Sequence, residues 1–350
     1  MCVLVVLSPS TASLAQDGAA QLTASYIRAR PVEPTPPRYP SRAARAGREG
    51  WVLLSFIVSE SGEVLEPMIE DSSGYEEFER SALTTVQEWD WEPALANGEP
   101  TSQSMTRYRI VFKLQDGGGG ARRDFIRRYR EVLNLIAEGA LDEAEPLLTD
   151  LQFDERHNLY EDAWLWWLRY AYLDAVGSTD RQEKRQALVR ALGYEDDYLP
   201  PDVFLVAAQE LYVLEVDRQD YSGALQTYER LQESRSAKRA DKYDEVMAAL
   251  TPSFEQIKAA VSGDQLLALP GRIGKNSYWV HDLLRRSFSV ADVTGRIENV
   301  DVRCRQGNQI FSFVTEEDTW NIPESWGRCG LYLKGEPGTT FTLMEYPLEE

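Results

Sequence analysis

The chain has 350 residues, 43% of them apolar, and its 57 Asp and Glu against 37 Lys and Arg give a formal charge of −20. That length holds two or three domains, and the apolar share with nine tryptophans can build packed cores, which excludes global disorder. The acidic balance disfavours nucleic acid as the main partner and disfavours adsorption to an anionic membrane face.

Met1 to Ala15 carry a short apolar run ending in Ser13-Leu14-Ala15, whose small residues suit a secretory cleavage site. No basic residue precedes the run and Ser8-Pro9 interrupts it. A signal segment over 1–15, a start that lacks upstream residues, and a disordered cytoplasmic N-terminus all stay open. No other stretch approaches eighteen consecutive apolar residues, so the sequence shows no transmembrane helix and no membrane anchor. Residues 16–35 lead into Pro31-Val32-Glu33-Pro34-Thr35-Pro36-Pro37, an extended, semi-rigid spacer. At about 3 Å per residue it reaches only some tens of ångströms.

A first domain is expected over 36–115. Arg38-Tyr39-Pro40 heads it, and the apolar run Trp51 to Val58 reads as a strand. A turn at Ser59 to Gly62 leads to a second strand from Val64 to Ile69. Phe78, Ala82, Val86 and Trp89 then fall on one face of a helix. After Trp91-Glu92-Pro93-Ala94 and the turn Asn97-Gly98, a third strand runs from Thr106 to Leu114. Tyr108, Ile110, Phe112 and Leu114 point one way, and Arg107, Arg109 and Lys113 form a basic outer face. Strand, strand, helix, strand is a small α+β unit.

Tyr39-Pro40, the Gly47 to Gly50 pair, the Glu60-Ser61-Gly62-Glu63-Val64 turn, Ser72-Ser73-Gly74, the Phe78 helix with Trp89, and Trp91 to Ala94 with Asn97-Gly98 come in a specific order and spacing. In that order they resemble the TonB C-terminal domain family, over less than a quarter of the chain. The resemblance implies a non-enzymatic envelope protein whose module binds a short extended segment of an outer-membrane receptor and helps drive active transport. It places partner contact on Arg107, Tyr108, Arg109, Ile110, Val111 and Lys113 by strand addition, with Arg38, Tyr39 and Pro40 as a second contact. Basic residues on such a strand equally serve to block accidental edge pairing. The chain departs from full transducers in its short spacer, its two further domains and Pro36, where transducers often carry a glutamine.

Gln115 to Ala121 holds four consecutive glycines and reads as a flexible linker over 116–121, leaving the first domain loosely tethered. From 122 to 262 the pattern is helical. Gly139 to Leu148 and Gln219 to Tyr228 share one layout, with Ala144 and Ala224 in equivalent places. This resembles degenerate tetratricopeptide-type hairpins, in which a small alanine lets two helices approach, and implies envelope protein partners. Trp164, Trp166, Trp167, Tyr170 and Tyr172 form an aromatic cluster that suits either a core or a ligand groove. Residues 263–350 are β-rich, with strands expected at 299–305, 309–315, 330–334 and 339–345 in a small antiparallel sandwich. Cys304 and Cys329 lie on the apolar faces of two of these strands. They are expected to pair in an oxidising compartment, with two separate buried thiols as the alternative.

The chain class expected overall is therefore multidomain α+β. Two histidines, His157 and His281, are too few for the usual metal clusters and read as packed or surface residues. No nucleophile elbow, phosphate loop or dinucleotide fingerprint occurs, and no cofactor or metal is expected. Three function classes follow: a TonB-like envelope protein, periplasmic and inner-membrane anchored only if an anchor precedes Met1; a periplasmic scaffold using both modules; and a hydrolase in the β-rich tail with convergent carboxylates.

Overall fold

The computed structural model describes residues 26–114, 120–154, 156–194, 198–305, 307–312 and 318–347, with backbone only for 307–312. The expected signal segment, residues 16–25 of the lead, and 115–119 of the glycine linker lie outside them. The described chain is mixed α+β. It opens with β1 (Tyr26–Ile27), β2 (Arg30–Pro31), α1 (Ser41–Ala46), β3 (Gly50–Val58), β4 (Val64–Ser72) and α2 (Glu76–Gln87). Next come β5 (Trp91–Glu92), β6 (Ala94–Ala96), β7 (Glu99–Thr101) and β8 (Gln103–Phe112).

β3, β4 and β8 form one antiparallel sheet in the order β4-β3-β8. α2 lays Phe78, Ala82 and Val86 on Val52, Leu54, Phe56, Ile110 and Phe112, and this is the core of the unit. Trp89 lies just past the helix end yet still joins that core, with its Nε1 donating to Thr35 O at 3.0 Å. Gly62 (φ +84°) is needed in the β3–β4 turn, because a Cβ there would sit 2.0 Å from Trp91 O.

Two strands differ from expectation. β4 runs on through Glu70, Asp71 and Ser72, which the alternation of apolar residues does not mark, because Glu70 and Asp71 find partners in distant parts of the chain and Ser72 bonds to Glu79 of α2. β8 starts at Gln103 and ends at Phe112, since the amide of Leu114 donates to Glu49 Oε1 at 2.8 Å instead of to a neighbouring strand.

The helical part comprises α3 (Arg123–Glu138), α4 (Leu141–Gln152), α5 (Leu159–Ala175), α6 (Arg181–Leu192), α7 (Pro201–Asp217), α8 (Tyr221–Glu233) and α9 (Tyr243–Ser262). Ala144 in α4 and Ala224 in α8 are fully buried. α5 is apolar nearly all round, as suits a helix covered on several sides. Trp166, Trp167 and Tyr170 pack on one core, Tyr172 on another, and Trp164 against both. The aromatic cluster is thus packing, not an open groove.

The last part holds β9 (Leu267–Arg272), β10 (Tyr278–Asp282), β11 (Ser287–Thr294), β12 (Ile297–Cys304), β13 (Gly307–Ser312), β14 (Thr319–Asn321), β15 (Cys329–Gly335) and β16 (Thr340–Tyr346). Their two four-stranded sheets, in the orders β10-β15-β12-β13 and β14-β11-β16-β9, share one apolar core. β9, β10, β11 and β14 add to the four strands expected from sequence; Pro270-Gly271 and frequent polar residues disguise them. Cys304 and Cys329 stand directly opposite on β12 and β15 and are joined by a disulfide.

These parts are bonded together. Arg285, almost fully buried, donates to the carbonyls of Ala260, Val261 and Gly263 at the end of α9, and to those of Gln265 and Glu345. A cation at a helix C-terminus satisfies carbonyls that the helix leaves open. Glu49 joins the first unit to the helices: its Oε2 accepts from Leu159 N at 3.1 Å, and its own amide donates to His157 O at 3.0 Å. Trp51 of β3 belongs to the main helical core. The loose tether expected from the glycine run is overturned: the first unit is docked against both of the others.

Candidate functional site

β8 pairs with β3 on one side, and among the described residues no strand pairs with its other edge. That edge looks into a cleft of about 660 Å³. Below it lie Arg28 to Pro31 and Trp91; above it stand Leu225, Gln226 and Glu229 of α8 and Asp282 to Leu284 after β10. At the Gln103 end the wall is Arg305, Arg328 and Cys329, beside the disulfide. The cleft is therefore built from all three parts of the chain.

An ionic chain fixes its upper wall. Arg107 Nε donates to Glu70 Oε1 and its Nη1 to the Asp282 carboxylate, both at 2.9 Å, and Gln226 Nε2 donates to Asp282 Oδ2 at 3.0 Å. Tyr332 OH donates to the same Glu70 oxygen at 2.7 Å. Burial alone would lower the Arg107 pKa, but Glu70, Tyr332 and Asp282 outweigh it and leave it raised, so this cation stays charged. At the Gln103 end, Tyr26 OH lies 3.1 Å from Gln103 Oε1 and 3.0 Å from Arg305 O, bridging the first unit to the β-rich part. Ala29 N donates to the same Gln103 oxygen at 3.1 Å.

The residues expected to bind a partner are distributed differently from the sequence pattern. Arg107 is engaged as above. Arg109 lies 3.9 Å over the Trp51 ring, and burial lowers its pKa. Lys113 reaches Tyr198 OH at 3.5 Å. The face read as basic and outward is turned onto the helical and β-rich parts, because each cation finds an aromatic ring or carboxylate there. Tyr108 packs edge-on to Trp89 at 4.8 Å, and Ile110 is core. Val111 is 49% exposed and stays available.

Tyr39 is an anchor of the fold. Its ring packs edge-on to Phe78 and Phe112, its OH donates to Arg48 O at 2.5 Å, and burial, then Glu49, pushes its pKa up to about 12. The carbonyl of Arg38 accepts from Ser81 Oγ at 2.7 Å, and Pro40 precedes α1 as its cap residue. Arg38 is exposed, away from the residues that line the cleft.

Sequence reasoning passes over Tyr26, Arg28, Met105, Leu225, Gln226, Leu283, Arg305 and Arg328. One indication of two of them was present: Arg305 and Arg328 adjoin the paired cysteines, so the disulfide sets them side by side, with Arg305 N donating to Arg328 O at 3.0 Å. His157 and His281 are both buried. Among the described residues no group of His, Cys, Asp and Glu is arranged to hold a metal ion.

The three-stranded antiparallel sheet with one helix on its face is the part of the chain that known proteins resemble. Residues 35–114 match the family model described as Gram-negative bacterial TonB protein C-terminal. The same region is 32% identical over 79 residues to Protein TonB of Vibrio cholerae serotype O1, covering 23% of this chain and 32% of that protein. It is 37% identical over 78 residues to Protein tonB2 of Pseudomonas aeruginosa, covering 22% and 28%. Protein TonB of Xanthomonas campestris pv. campestris shares 34% over 79 residues, covering 23% and 35%. The chain thus spans about a third of the length of these relatives. Among solved structures, it is similar to the Pseudomonas aeruginosa TonB C-terminal domain (22% identity, 27% of this chain and 90% of that one, TM-score 0.22). The TonB2 protein of Vibrio anguillarum is another (26%, 33% and 100%, TM-score 0.22).

Proposed function

We propose that this chain is a non-enzymatic protein of the Gram-negative envelope, acting in the periplasm. Its TonB-type module takes up an extended segment of an outer-membrane receptor on the free edge of β8, in support of TonB-dependent transport. The observation that carries the reading is the unpaired edge of β8 opening into a cleft, within a segment that matches the TonB C-terminal family. Unsatisfied backbone donors and acceptors on such an edge give affinity, and flanking pockets give selectivity. Among the described residues no helix is long and apolar enough to cross a membrane.

The second reading, a scaffold that uses the module and tetratricopeptide-like hairpins for assembly, is favoured by one observation. The module is bonded to both other parts through Glu49, Trp51 and Arg107 instead of hanging on a linker. Nothing favours a hydrolase in the tail, where two buried carboxylates of the described residues are held in ion pairs and hydrogen bonds. Asp301 pairs with Arg303 at 2.7 Å, and Glu345 accepts from the amides of Leu284 and Arg285.

Hydrogen exchange of the full chain, with and without synthetic periplasm-facing segments of outer-membrane receptors, separates the two. Slower exchange over 103–108 is expected. Protection confined to α3 to α9, with 103–108 unchanged, would overturn the strand-addition reading in favour of the scaffold.

A further inference from the structure

The Gln103 end of the cleft beside β8 is cationic. Tyr26 spans it, touching Gln103 on one wall and the Arg305 carbonyl on the other. Arg28, Arg305 and Arg328 all line the cleft. Arg305 lies 5.5 Å over the Tyr26 ring, Arg28 is close enough to lower that tyrosine's pKa against the rise that burial causes, and Arg328 is hydrogen-bonded to Arg305 through the backbone. Among the described residues none of the three forms an ion pair, whereas Arg107, Arg122, Arg190 and Arg303 all do. Like charges placed side by side repel, and here the disulfide between the adjacent cysteines holds two of them together. In a chain of net charge −20, three arginines without carboxylates form an anion-seeking site.

Chain direction says which anion. β8 runs from Gln103 to Phe112, so the cationic end lies beside its first residue. A strand added antiparallel to β8, the arrangement of every pair in this sheet, points its own C-terminus at Gln103. A strand added parallel would drive its N-terminal ammonium into the arginines. The stretch of β8 that lines the cleft, Gln103 to Tyr108, is matched by about six residues of extended peptide.

We infer that the cleft takes the free C-terminus of an extended peptide: the last residues pair with the edge of β8, and Arg28, Arg305 and Arg328 hold the terminal α-carboxylate. Side chains of the bound strand alternate between the floor at Pro31 and Trp91 and the roof at Leu225 and Leu283. This rests on the strand-addition reading above and adds to it a terminus, a direction and a wall supplied by the β-rich part. Backbone capture of a carboxylate end is an established recognition mode elsewhere.

The test uses the full chain and four fluorescently N-labelled hexapeptides of alternating valine and threonine. One has a free C-terminal carboxylate, the second a C-terminal amide, and the third and fourth repeat these with two N-methylated residues that cannot pair with a strand edge. Affinity is read by anisotropy at low salt. The free acid is expected to bind about tenfold tighter than the amide, the size of one or two charge-assisted hydrogen bonds. That preference is expected to vanish in the Arg305→Gln, Arg328→Gln double variant, with amide binding unchanged. Equal affinity for acid and amide, both lost on N-methylation, would sink the terminus while leaving strand addition intact. An acid preference that survives N-methylation would reduce the site to ionic attraction and overturn both, as would no binding by any of the four.

Discussion

Replacing Trp51 by alanine tests whether the TonB-type module is part of one packed body. The indole is 4% exposed and lies in the helical core although it belongs to β3. Its Nε1 donates to Tyr194 OH at 2.8 Å, Tyr194 in turn donates to Asp162, and Arg109 covers the ring face at 3.9 Å. Truncating a buried tryptophan costs about 3–5 kcal/mol. The lost cation–π contact adds about 0.5–2 kcal/mol. Trp51→Phe keeps most of the area and forfeits chiefly the indole hydrogen bond, about 1 kcal/mol with its share of packing. Urea unfolding of the full chain, followed by circular dichroism, reads both costs, and limited proteolysis between Lys113 and Arg122 reads docking. Trp51→Ala is expected to lower the midpoint and speed cleavage in that segment, with Trp51→Phe between it and the parent. A cost below about 1 kcal/mol with unchanged cleavage would refute the docking argument.

Two further outcomes follow from buried groups. Burial raises the Glu215 pKa from 4.5 to about 7, against the pull of Arg185. The folded state therefore holds this proton more tightly than the unfolded chain does. The stability that it contributes is full below about pH 4.5 and is lost as pH rises through about 7, a fall of roughly 3 kcal/mol. Glu215→Gln, which can still accept from Thr227, should flatten that part of the stability–pH curve relative to the parent; parallel curves would refute the assignment. Replacing Cys304 and Cys329 by serine removes a cross-link of sequence separation 25. It should cost about 3.5 kcal/mol by loop-closure entropy. An equal unfolding midpoint with and without reductant would show that the bridge does not form.

The module was legible because its elements follow local rules. Alternation along Tyr108 to Phe112, the spacing of Phe78, Ala82 and Val86, and the Asn97-Gly98 turn each report on neighbours a few residues away. The run from Trp51 to Val58 carried more than was taken from it. An unbroken apolar strand, instead of an alternating one, is the mark of a sheet covered on both faces. Here α2 covers one face, and the other is covered by the helical part through Trp51 and Leu53. Arg107, Arg109 and Lys113 read as a solvated face for the same reason that Glu70 and Asp71 read as a strand end. Their partners Asp282, Tyr194, Tyr198, Tyr332 and Arg190 lie far off in sequence, where no periodicity reaches. The cysteine pair was legible from facing apolar strands, but the arginines beside it had no role until the cleft placed them opposite β8.

The walls of the cleft come from distant parts of the chain. Arg107 meets Asp282 across 175 positions, and Tyr26 meets Arg305 across 279. The module's own contacts close within its first ninety described residues, so it can take shape early as the polypeptide emerges. The groove cannot; it has no roof until α8 and the turn after β10 are in place, and no end until Cys304 and Cys329 have found each other. A molecule without its β-rich part thus presents the strand edge with Arg28 but without Arg305 and Arg328, and only the oxidised, fully folded one presents all three. On the proposed reading, peptide capture waits for α8, the turn after β10 and the cysteine pair, so competence to bind comes later in synthesis than the fold of the module.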